Sequence, residues 1–339
     1  MKILVTGSEG YIGSCLTNLL TTAGHSVTGF DTNFFSEGWF TGEKTALTAT
    51  IKKDIRAITV EDVTGFDAII HLAELSNDPL GHINANLTFD VNHNGTKRLA
   101  DVAKMAGVPR FVYSSSCSVY GASDLVSDET SPTNPLTPYA QSKVLNEKYL
   151  LEIADKSFCP VILRNATVYG VSPRIRFDLA VNNLAGLAWT TRVIKMDSDG
   201  TPWRPFVHVL DVCKAMMLAA CAPYADVYKQ VLNVGNSRSN YQIKDIAEII
   251  GKVFGVSDVT LNPNGADKRN YRVNFDKITK VLPDFVCTYD VESGARELMK
   301  AFEEVSLSQG TFTSYLYTRL KMIEHLKAEN KLNDELYWK

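Results

Sequence analysis

Short apolar segments alternate with longer segments of helical periodicity along the first half of the chain. The apolar segments have the length of buried strands and lie at Lys2 to Val5, Ser26 to Phe30, Ala68 to Leu72, Phe111 to Ser115 and Val161 to Leu163. Helical patterns between them include Tyr11 to Ala23, Thr96 to Ala106 and Pro138 to Ala154. Alternating strands and helices predict a parallel sheet with helices on both faces. Strands of such a sheet are buried on both sides, which explains why they lack polar alternation.

The regular alternation weakens after Arg164. Residues 170–205 combine proline, arginine, asparagine and tryptophan, a mixture that suits a ligand-facing lobe. Regular patterns return at Val207 to Ala220 and at Ile243 to Val253. The charged, helix-prone end of the chain, Arg319 to Lys339, carries only a narrow apolar stripe. We interpret it as a helix laid on the surface or on a partner subunit.

A glycine-rich turn joins the first strand to the first helix. In the segment Gly7 to Gly13, Gly7 permits a tight turn, Gly10 lets the backbone approach a pyrophosphate, and Gly13 allows close packing of helix and sheet. The free N–H groups and the dipole of the helix then attract a diphosphate. Asp31 lies 18 residues beyond Gly13, where a carboxylate binds an adenosine ribose and repels a 2′-phosphate. The cofactor predicted by this arrangement is NAD.

The predicted fold class is α/β, a Rossmann doubly wound parallel sheet with a smaller α/β C-terminal substrate lobe. The NAD-binding domain is predicted at residues 1–168, with 207–235 returning to it. The substrate lobe is predicted at residues 169–206 and 236–305, and a C-terminal helical extension at 306–339.

A tyrosine and a lysine share one face of a predicted helix. Tyr139 and Lys143 are four residues apart in a helix introduced by Thr137-Pro138. A neighbouring ammonium stabilises phenolate, so we expect Lys143 to lower the pKa of Tyr139 and make it a base for a sugar hydroxyl. The strand that ends at Ser114-Ser115-Ser116 places hydroxyl groups where ligands of parallel sheets bind.

Taken in order, these motifs resemble the extended short-chain dehydrogenase/reductase family, in particular its sugar-nucleotide epimerases and dehydratases. The resemblance runs from residue 1 to about 300 and also includes His71-Leu72-Ala73, Asn92 with Gly95-Thr96, Val119-Tyr120-Gly121, and Phe206 to Val209 with Asp211. It implies the catalytic set Ser116, Tyr139 and Lys143. The implied cofactor-binding residues are Gly7, Gly10, Tyr11, Ile12, Gly13, Asp31, Asp54, Ile55, Leu72, Ala73, Asn92, Ser114, Tyr139 and Lys143.

The predicted substrate site departs from the family pattern in two places. The positions after Ser116 hold Cys117 and Ser118 instead of the Asp-Glu pair of family dehydratases, so dehydration is not expected. Thr167 stands where many relatives have an asparagine that meets the substrate diphosphate. Several arginines still suit an anionic ligand. The residues predicted to bind substrate are Ser116, Cys117, Ser118, Thr167, Arg174, Arg176, Asn183, Arg204 and Arg269. For Cys117 the alternative interpretation is a small packing residue in the core, since buried free cysteine behaves as a small hydrophobe.

The resemblance implies an NAD-dependent epimerase that oxidises sugar C4 transiently and then returns the hydride. The alternative is a net C4 dehydrogenase or ketoreductase of a nucleotide-activated hexose or heptose, because the first step and its residues are the same. A non-catalytic NAD-binding protein is a weaker alternative, since the Tyr139/Lys143 pair is kept. A serine hydrolase is not supported, because no G-x-S-x-G motif occurs.

Composition and sequence patterns argue against binding to nucleic acid, metal ions or membranes. A net charge of −3 offers no basic footprint for nucleic acid, and no H-E-x-x-H or paired-cysteine spacing predicts a metal site. The chain has no apolar run of membrane-spanning length and no signal-like start, and its six cysteines are scattered. We therefore expect no membrane partner and a cytoplasmic location. The family implies a homodimer through Asn92 to Ala106 and the Tyr139 helix, with Leu99, Val102, Val144 and Leu151 facing outwards.

Overall fold

The computed structural model describes residues 1–41, 47, 49–76, 84–196, 198–262 and 269–339. Its strands are β1 (Lys2–Thr6), β2 (Ser26–Asp31), β3 (Ala49–Lys52), β4 (Ala68–His71), β5 (Arg110–Ser116), β6 (Ala122–Ser127), β7 (Cys159–Asn165), β8 (Thr167–Tyr169), β9 (Ile194–Lys195), β10 (Trp203–His208), β11 (Val231–Val234), β12 (Asn240–Gln242), β13 (Val259–Thr260) and β14 (Asn270–Val273). Its α-helices are α1 (Tyr11–Thr22), α2 (Val60–Val63), α3 (Ala85–Phe89), α4 (Gly95–Met105), α5 (Pro138–Ile153), α6 (Ala180–Thr191), α7 (Val209–Cys221), α8 (Tyr224–Val227), α9 (Ile243–Phe254), α10 (Asp276–Val281), α11 (Val291–Glu304), α12 (Gln309–Thr313) and α13 (Arg319–Ala328).

Seven parallel strands form the main sheet in the order β11-β7-β5-β4-β1-β2-β3. Successive strands run outwards from β1 in both directions, so the strand order reverses between β1 and β4. The register pairs Thr6 with His71 and His71 with Tyr113, which aligns the carboxyl ends of the central strands. Ligands of open α/β sheets bind at such a switch point. The predicted Rossmann fold class is confirmed.

Strand β1 shows why these strands are apolar throughout. Ile3 and Val5 belong to the core on one face of the sheet, and Leu4 belongs to the core on the other face. Both sets of side chains are fully buried. Burial of apolar surface on each face stabilises the sheet by about 25 cal/mol per Å².

A second body of structure follows the main sheet. It has its own apolar cluster, built around α6, α9 and α11, and a three-stranded sheet in the order β12-β10-β8. Strand β10 ends at His208, and α7 begins at Val209, so the pattern from Val207 to Ala220 spans a strand end and a helix. Strand β11 returns to the main sheet beside β7. The exact division into domains stays a prediction.

The end of the chain packs on the main body of the protein. Helix α13 buries Met322, Ile323 and Leu326 against Phe34 and Leu75, which flank the carboxyl ends of β2 and β4. The residues after α13 also pack there, through a cluster that includes Leu332 and Leu336. The apolar stripe is therefore covered within the chain, beside the ligand-binding edge of the sheet, and is not left for a partner subunit.

Two side chains expected on an outer dimerisation face lie inside. Leu99 is fully buried in the core beneath α4, and Val144 is 8% exposed and packs on the opposite core. Val102 and Leu151 are only partly buried. The expectation that all four face outwards was wrong, because the apolar stripes of α4 and α5 pack on the sheet. No helix in the described ranges has the length and apolar character needed to cross a bilayer.

Candidate active site

A cavity of ≈ 760 Å³ runs along the carboxyl ends of the central strands and into the second body of structure. Most of the predicted site residues line it: Gly7, Gly10, Tyr11, Ile12, Gly13, Asp31, Asp54, Ile55, Leu72, Ala73, Ser114, Ser116, Ser118, Tyr139, Lys143, Thr167, Arg176, Asn183, Arg204 and Arg269. Three predicted residues, Asn92, Cys117 and Arg174, lie outside the lining.

The glycine turn has the geometry of a diphosphate cradle. Gly7 has a φ of 74°, and its N–H donates to the Phe30 carbonyl at 2.7 Å. A Cβ on Gly13 would lie 2.0 Å from the Gly7 carbonyl oxygen, so only glycine lets α1 approach the turn. Helix α1 begins after Gly10 with no capping side chain, and its first N–H groups have no partner within the helix. These groups and the open glycine surface fit the diphosphate of a dinucleotide.

Asp31 ends strand β2 at the edge of the same cavity. Its carboxylate accepts hydrogen bonds from the Glu9 N–H at 3.0 Å and the Asn33 N–H at 2.7 Å. Burial raises the pKa of Asp31, although these two hydrogen bonds act in the opposite direction. The carboxylate is fixed where a ribose of the cofactor would bind. Asp54, farther along the edge, is engaged by the guanidinium of Arg56.

Lys143 points from α5 to the carboxyl end of β5 and is almost fully buried. Its ammonium lies 5.3 Å from the centre of the Tyr139 ring, donates to the Ser114 carbonyl and forms an ion pair with Glu74. Burial alone lowers the pKa of Lys143, but attraction to Glu74 and to Tyr139 outweighs it, and the pKa is raised. Lys143 therefore stays charged beneath the phenol ring.

Glu74 is the main site residue that sequence reasoning missed. Its side chain is only 3% exposed, it lines the cavity, and it accepts a hydrogen bond from the Tyr113 hydroxyl at 2.8 Å. It directly follows the strand-end segment His71-Leu72-Ala73. The rule that drew attention to Ser116, a polar side chain just beyond a buried parallel strand, would also have selected Glu74.

Hydroxyl groups after β5 face the cavity, whereas Cys117 does not. The Ser116 oxygen accepts a hydrogen bond from the Ser118 N–H at 3.1 Å. The Ser118 hydroxyl is buried and lacks a partner among the described residues. Cys117 is fully buried, and its thiol donates to the Arg164 carbonyl at 3.2 Å. The interpretation of Cys117 as a packing residue is confirmed and the prediction that it contacts substrate was wrong, because its side chain turns into the core, where burial raises the pKa of the thiol.

Asn92 lies behind the cavity wall and supports it. It is fully buried, its side-chain oxygen accepts from the Leu75 N–H at 2.7 Å, and its amide donates to the Leu75 carbonyl at 3.2 Å. Asn92 therefore holds the segment after β4 in place and does not contact a ligand directly, contrary to the prediction. Asn165, at the end of β7, was missed: it lines the cavity, and its side-chain oxygen has no partner within the described part of the chain.

Of the four arginines predicted to bind substrate, three line the cavity and one does not. Arg204 packs over the Tyr271 ring at 5.3 Å and contacts the Arg269 carbonyl. Both arginines line the part of the cavity next to β10 and β14, called the far end below. Arg176 lies nearer the glycine turn and pairs with Asp178 at 2.9 Å. Arg174 is 1% exposed and bonds to the Ser36 carbonyl and to Glu9, both at 2.7 Å. The prediction that Arg174 binds substrate was wrong, because these partners turn its guanidinium away from the cavity.

Two further predicted residues, Thr167 and Asn183, line the cavity. Thr167 begins strand β8 at the cavity wall. Asn183 lines the cavity from α6 and donates to the Phe177 carbonyl at 2.9 Å. The described ranges hold no group of three or more His, Cys, Asp or Glu side chains suited to a metal ion.

Comparison with known proteins agrees with this geometry. The profile of the NAD dependent epimerase/dehydratase family matches residues 3–235. The UDP-glucose 4-epimerase of Mycolicibacterium smegmatis is 34% identical over 240 residues, which cover 65% of this chain and 73% of that protein. The UDP-glucuronate 4-epimerase of Thermodesulfobacterium geofontis is 26% identical over 348 residues, which cover 96% and 99%.

A solved structure extends the likeness to the whole fold. The structure of MoeE5 in complex with UDP-glucuronic acid and NAD superposes with a TM-score of 0.79 and 28% sequence identity, covering 91% of this chain and 100% of that one. The match of the family profile to more than half of the chain identifies the family, and with it NAD as the cofactor. This chain therefore belongs to the NAD dependent epimerase/dehydratase family.

Proposed function

We propose that the protein is an epimerase of a nucleotide sugar that inverts C4 by transient oxidation and return of the hydride. The observation that carries this proposal is the convergence of Tyr139, Lys143 and Ser116 on one cavity that also holds the glycine cradle and the two distal arginines. Relatives named as UDP-sugar 4-epimerases support the same activity.

The chain supplies the proton chemistry of this reaction. NAD, when bound, accepts a hydride from a carbinol carbon and can give it back. Tyr139 as phenolate takes the proton from the C4 hydroxyl while the C–H bond breaks, and it returns that proton when the C–H bond forms again on the other face. The Lys143 ammonium stabilises the phenolate, and the Ser116 hydroxyl donates a hydrogen bond to the sugar oxygen.

The far end of the cavity suits the nucleotide diphosphate of the substrate. Arg204 and Arg269 come from β10 and from the residue before β14, and both line this end. Guanidinium groups bind phosphate oxygens through paired, charge-assisted hydrogen bonds. A diphosphate bound there leaves the sugar free to extend towards Tyr139, so these arginines would orient the substrate without taking part in proton transfer.

The fold of the C-terminal end favours an epimerase over a net dehydrogenase. An epimerase keeps its reduced cofactor until the hydride returns, whereas a dehydrogenase exchanges it in each turnover. The cluster formed by α13 with Phe34 and Leu75 covers the cofactor side of the cavity. We expect such packing to slow exchange of the cofactor.

An NMR screen of nucleotide sugars tests the proposal. Purified protein is incubated with UDP-glucose, UDP-galactose, and their N-acetyl and uronate forms, and the anomeric signals are followed. We expect one pair of C4 epimers to interconvert with no added cofactor. Stoichiometric NADH with no epimer would instead support the net C4 dehydrogenase of a hexose or heptose.

We also propose a cytoplasmic homodimer. The six cysteines all lie within the described residues and are free thiols, which suits a reducing compartment. Met105 at the end of α4 and Leu145 on α5 are 75% and 40% exposed, and they provide apolar surface on the two helices expected at the interface. Light scattering of the purified protein would report a mass near twice that of one chain.

A further inference from the structure

Arg319, the first residue of α13, is a buried cation at the wall of the cavity. It is 7% exposed, and it lines the cavity together with Leu320 and Ile323. Its guanidinium stacks on the Phe35 ring at 4.1 Å and donates one hydrogen bond to the Arg174 carbonyl at 3.2 Å. No carboxylate of the described chain lies within ion-pair distance of it. Burial of a cation without a counter-charge is costly.

The two neighbouring arginines are each paired with a carboxylate, which leaves Arg319 as an excess positive charge. Arg174 is paired with Glu9 at 2.7 Å, and Arg176 is paired with Asp178 at 2.9 Å. Burial, followed by repulsion from Arg176 and Arg174, lowers the pKa of Arg319 to about 9, with attraction to Asp178 and Asp31 acting in the opposite direction. An anion in the cavity would therefore gain a charge-assisted partner that the protein itself does not pair.

The position of Arg319 indicates which class of anion would bind to it. Its bonded neighbour Arg174 holds Glu9 of the glycine turn, and Ser172 donates to the Tyr11 carbonyl at 2.7 Å in the first turn of α1. The Glu9 N–H in turn donates to Asp31, the predicted ribose ligand, at 3.0 Å, and Asp31 attracts the charge of Arg319. The guanidinium thus lies beside the cradle for a dinucleotide diphosphate, whereas Arg204 and Arg269 lie at the other end of the cavity.

The residues after α13 fix this arrangement. The Trp338 indole N–H donates to the Thr32 carbonyl at 2.7 Å, one residue beyond β2. The Tyr337 ring lies 3.8 Å from the guanidinium of Arg56, beside the predicted cofactor-binding residues Asp54 and Ile55. Residues 319–339, the C-terminal segment, are therefore attached to the adenosine side of the crevice by contacts in addition to those of Arg319.

We propose that Arg319 binds the diphosphate of NAD and that the C-terminal segment forms the outer wall of the adenosine site. The motif-based cofactor residues end at Lys143, whereas Arg319 lies 306 residues after Gly13 of the glycine turn. The inference rests on NAD as cofactor and is independent of whether the sugar chemistry is epimerisation or net oxidation.

Calorimetric titration of the full chain tests the proposal with three probes: ADP, adenosine and UDP. Bound nucleotide is first quantified after denaturation of a sample and then removed by exchange. For Arg319→Gln we expect ADP affinity to fall by about tenfold, the usual effect of losing a charged hydrogen-bond partner. Affinities for adenosine and UDP should stay within about twofold. Arg296→Gln, which alters an exposed arginine paired with Glu292, is the matched control and should change none of them.

The outcomes separate the possible roles of Arg319. Equal losses for ADP and adenosine would mean that Arg319 only supports the fold, and a loss confined to UDP would assign it to the substrate; each result overturns the proposal, as does no loss at all. Arg319→Lys covers the case in which the glutamine variant does not fold. It keeps the charge but not the paired geometry, so we expect ADP affinity to fall by about threefold with adenosine unchanged.

Discussion

At the scale of residues, the site combines a phenol, an ammonium and a carboxylate in one corner of the cavity. Lys143 serves Tyr139 as a positive neighbour, and Glu74 both keeps Lys143 charged and offsets part of that charge. The convergence of Tyr139, Lys143 and Ser116 on one cavity could be predicted because motif spacing places them on known faces, whereas their catalytic roles stay a proposal. Cys117 and Arg174 could not be assigned correctly, because the direction of a side chain at a strand end depends on packing that a motif does not report.

Tyr139→Phe removes the proposed base and leaves the ring in place. We expect turnover to fall at least about a hundredfold, within the range for loss of a general acid–base group, while the protein still contains NAD(H). Turnover is measured by the NMR assay, and bound cofactor is measured after denaturation. Near-normal turnover in this variant would refute the assignment of the base.

Glu74→Gln tests the electrostatic coupling within the corner. Without the carboxylate, the full charge of Lys143 acts on Tyr139, so phenolate forms at lower pH and the acidic limb of kcat/KM moves down by about one pH unit. Lys143 also loses the partner that raises its pKa, so the basic limb moves down as well. Glu292→Gln on the exposed face of α11 is the control. An unchanged profile would show that Glu74 is only structural.

At the scale of elements, the glycine turn and α1 are defined by one close contact. Gly13→Ala would place a methyl group 2.0 Å from the Gly7 carbonyl oxygen, so α1 must shift away from the turn. We expect the purified variant to retain less than about a tenth of the normal NAD(H), because the diphosphate loses its N–H donors. Gly310→Ala in α12 meets only an ordinary contact at 3.8 Å and should retain the normal amount. Equal retention in both variants would exclude the cradle as the binding site.

The periodicity of the sequence predicted where the helices and strands lie, but it did not predict which surfaces they pack against. The narrow apolar stripe of the C-terminal end correctly indicated a helix, which spans only Arg319–Ala328, and the structure packs that helix beside the cofactor crevice. Periodicity shows that one face is apolar without showing what covers that face. The same limit explains why Leu99 and Val144 were expected on an outer surface although they pack on the sheet.

At the scale of the whole molecule, the order of the sheet determines where the chemistry occurs. The reversal between β1 and β4 brings the glycine turn, Glu74 and Ser116 to one edge, and β11 extends the sheet after the chain has left it. The alternation of strands and helices was sufficient to predict this architecture. The contribution of Arg319 could not be predicted, because no local motif connects the end of the chain to its first turn.

The fate of the C4 hydrogen tests the central claim most directly. Substrate labelled with deuterium at C4 is incubated with the protein in ordinary water, and both epimers are analysed by NMR and mass spectrometry. Transient oxidation with a retained hydride predicts full deuterium at C4 in both epimers, with no NADH released. Loss of the label during epimerisation, or NADH formed in proportion to substrate with no epimer, would contradict the account.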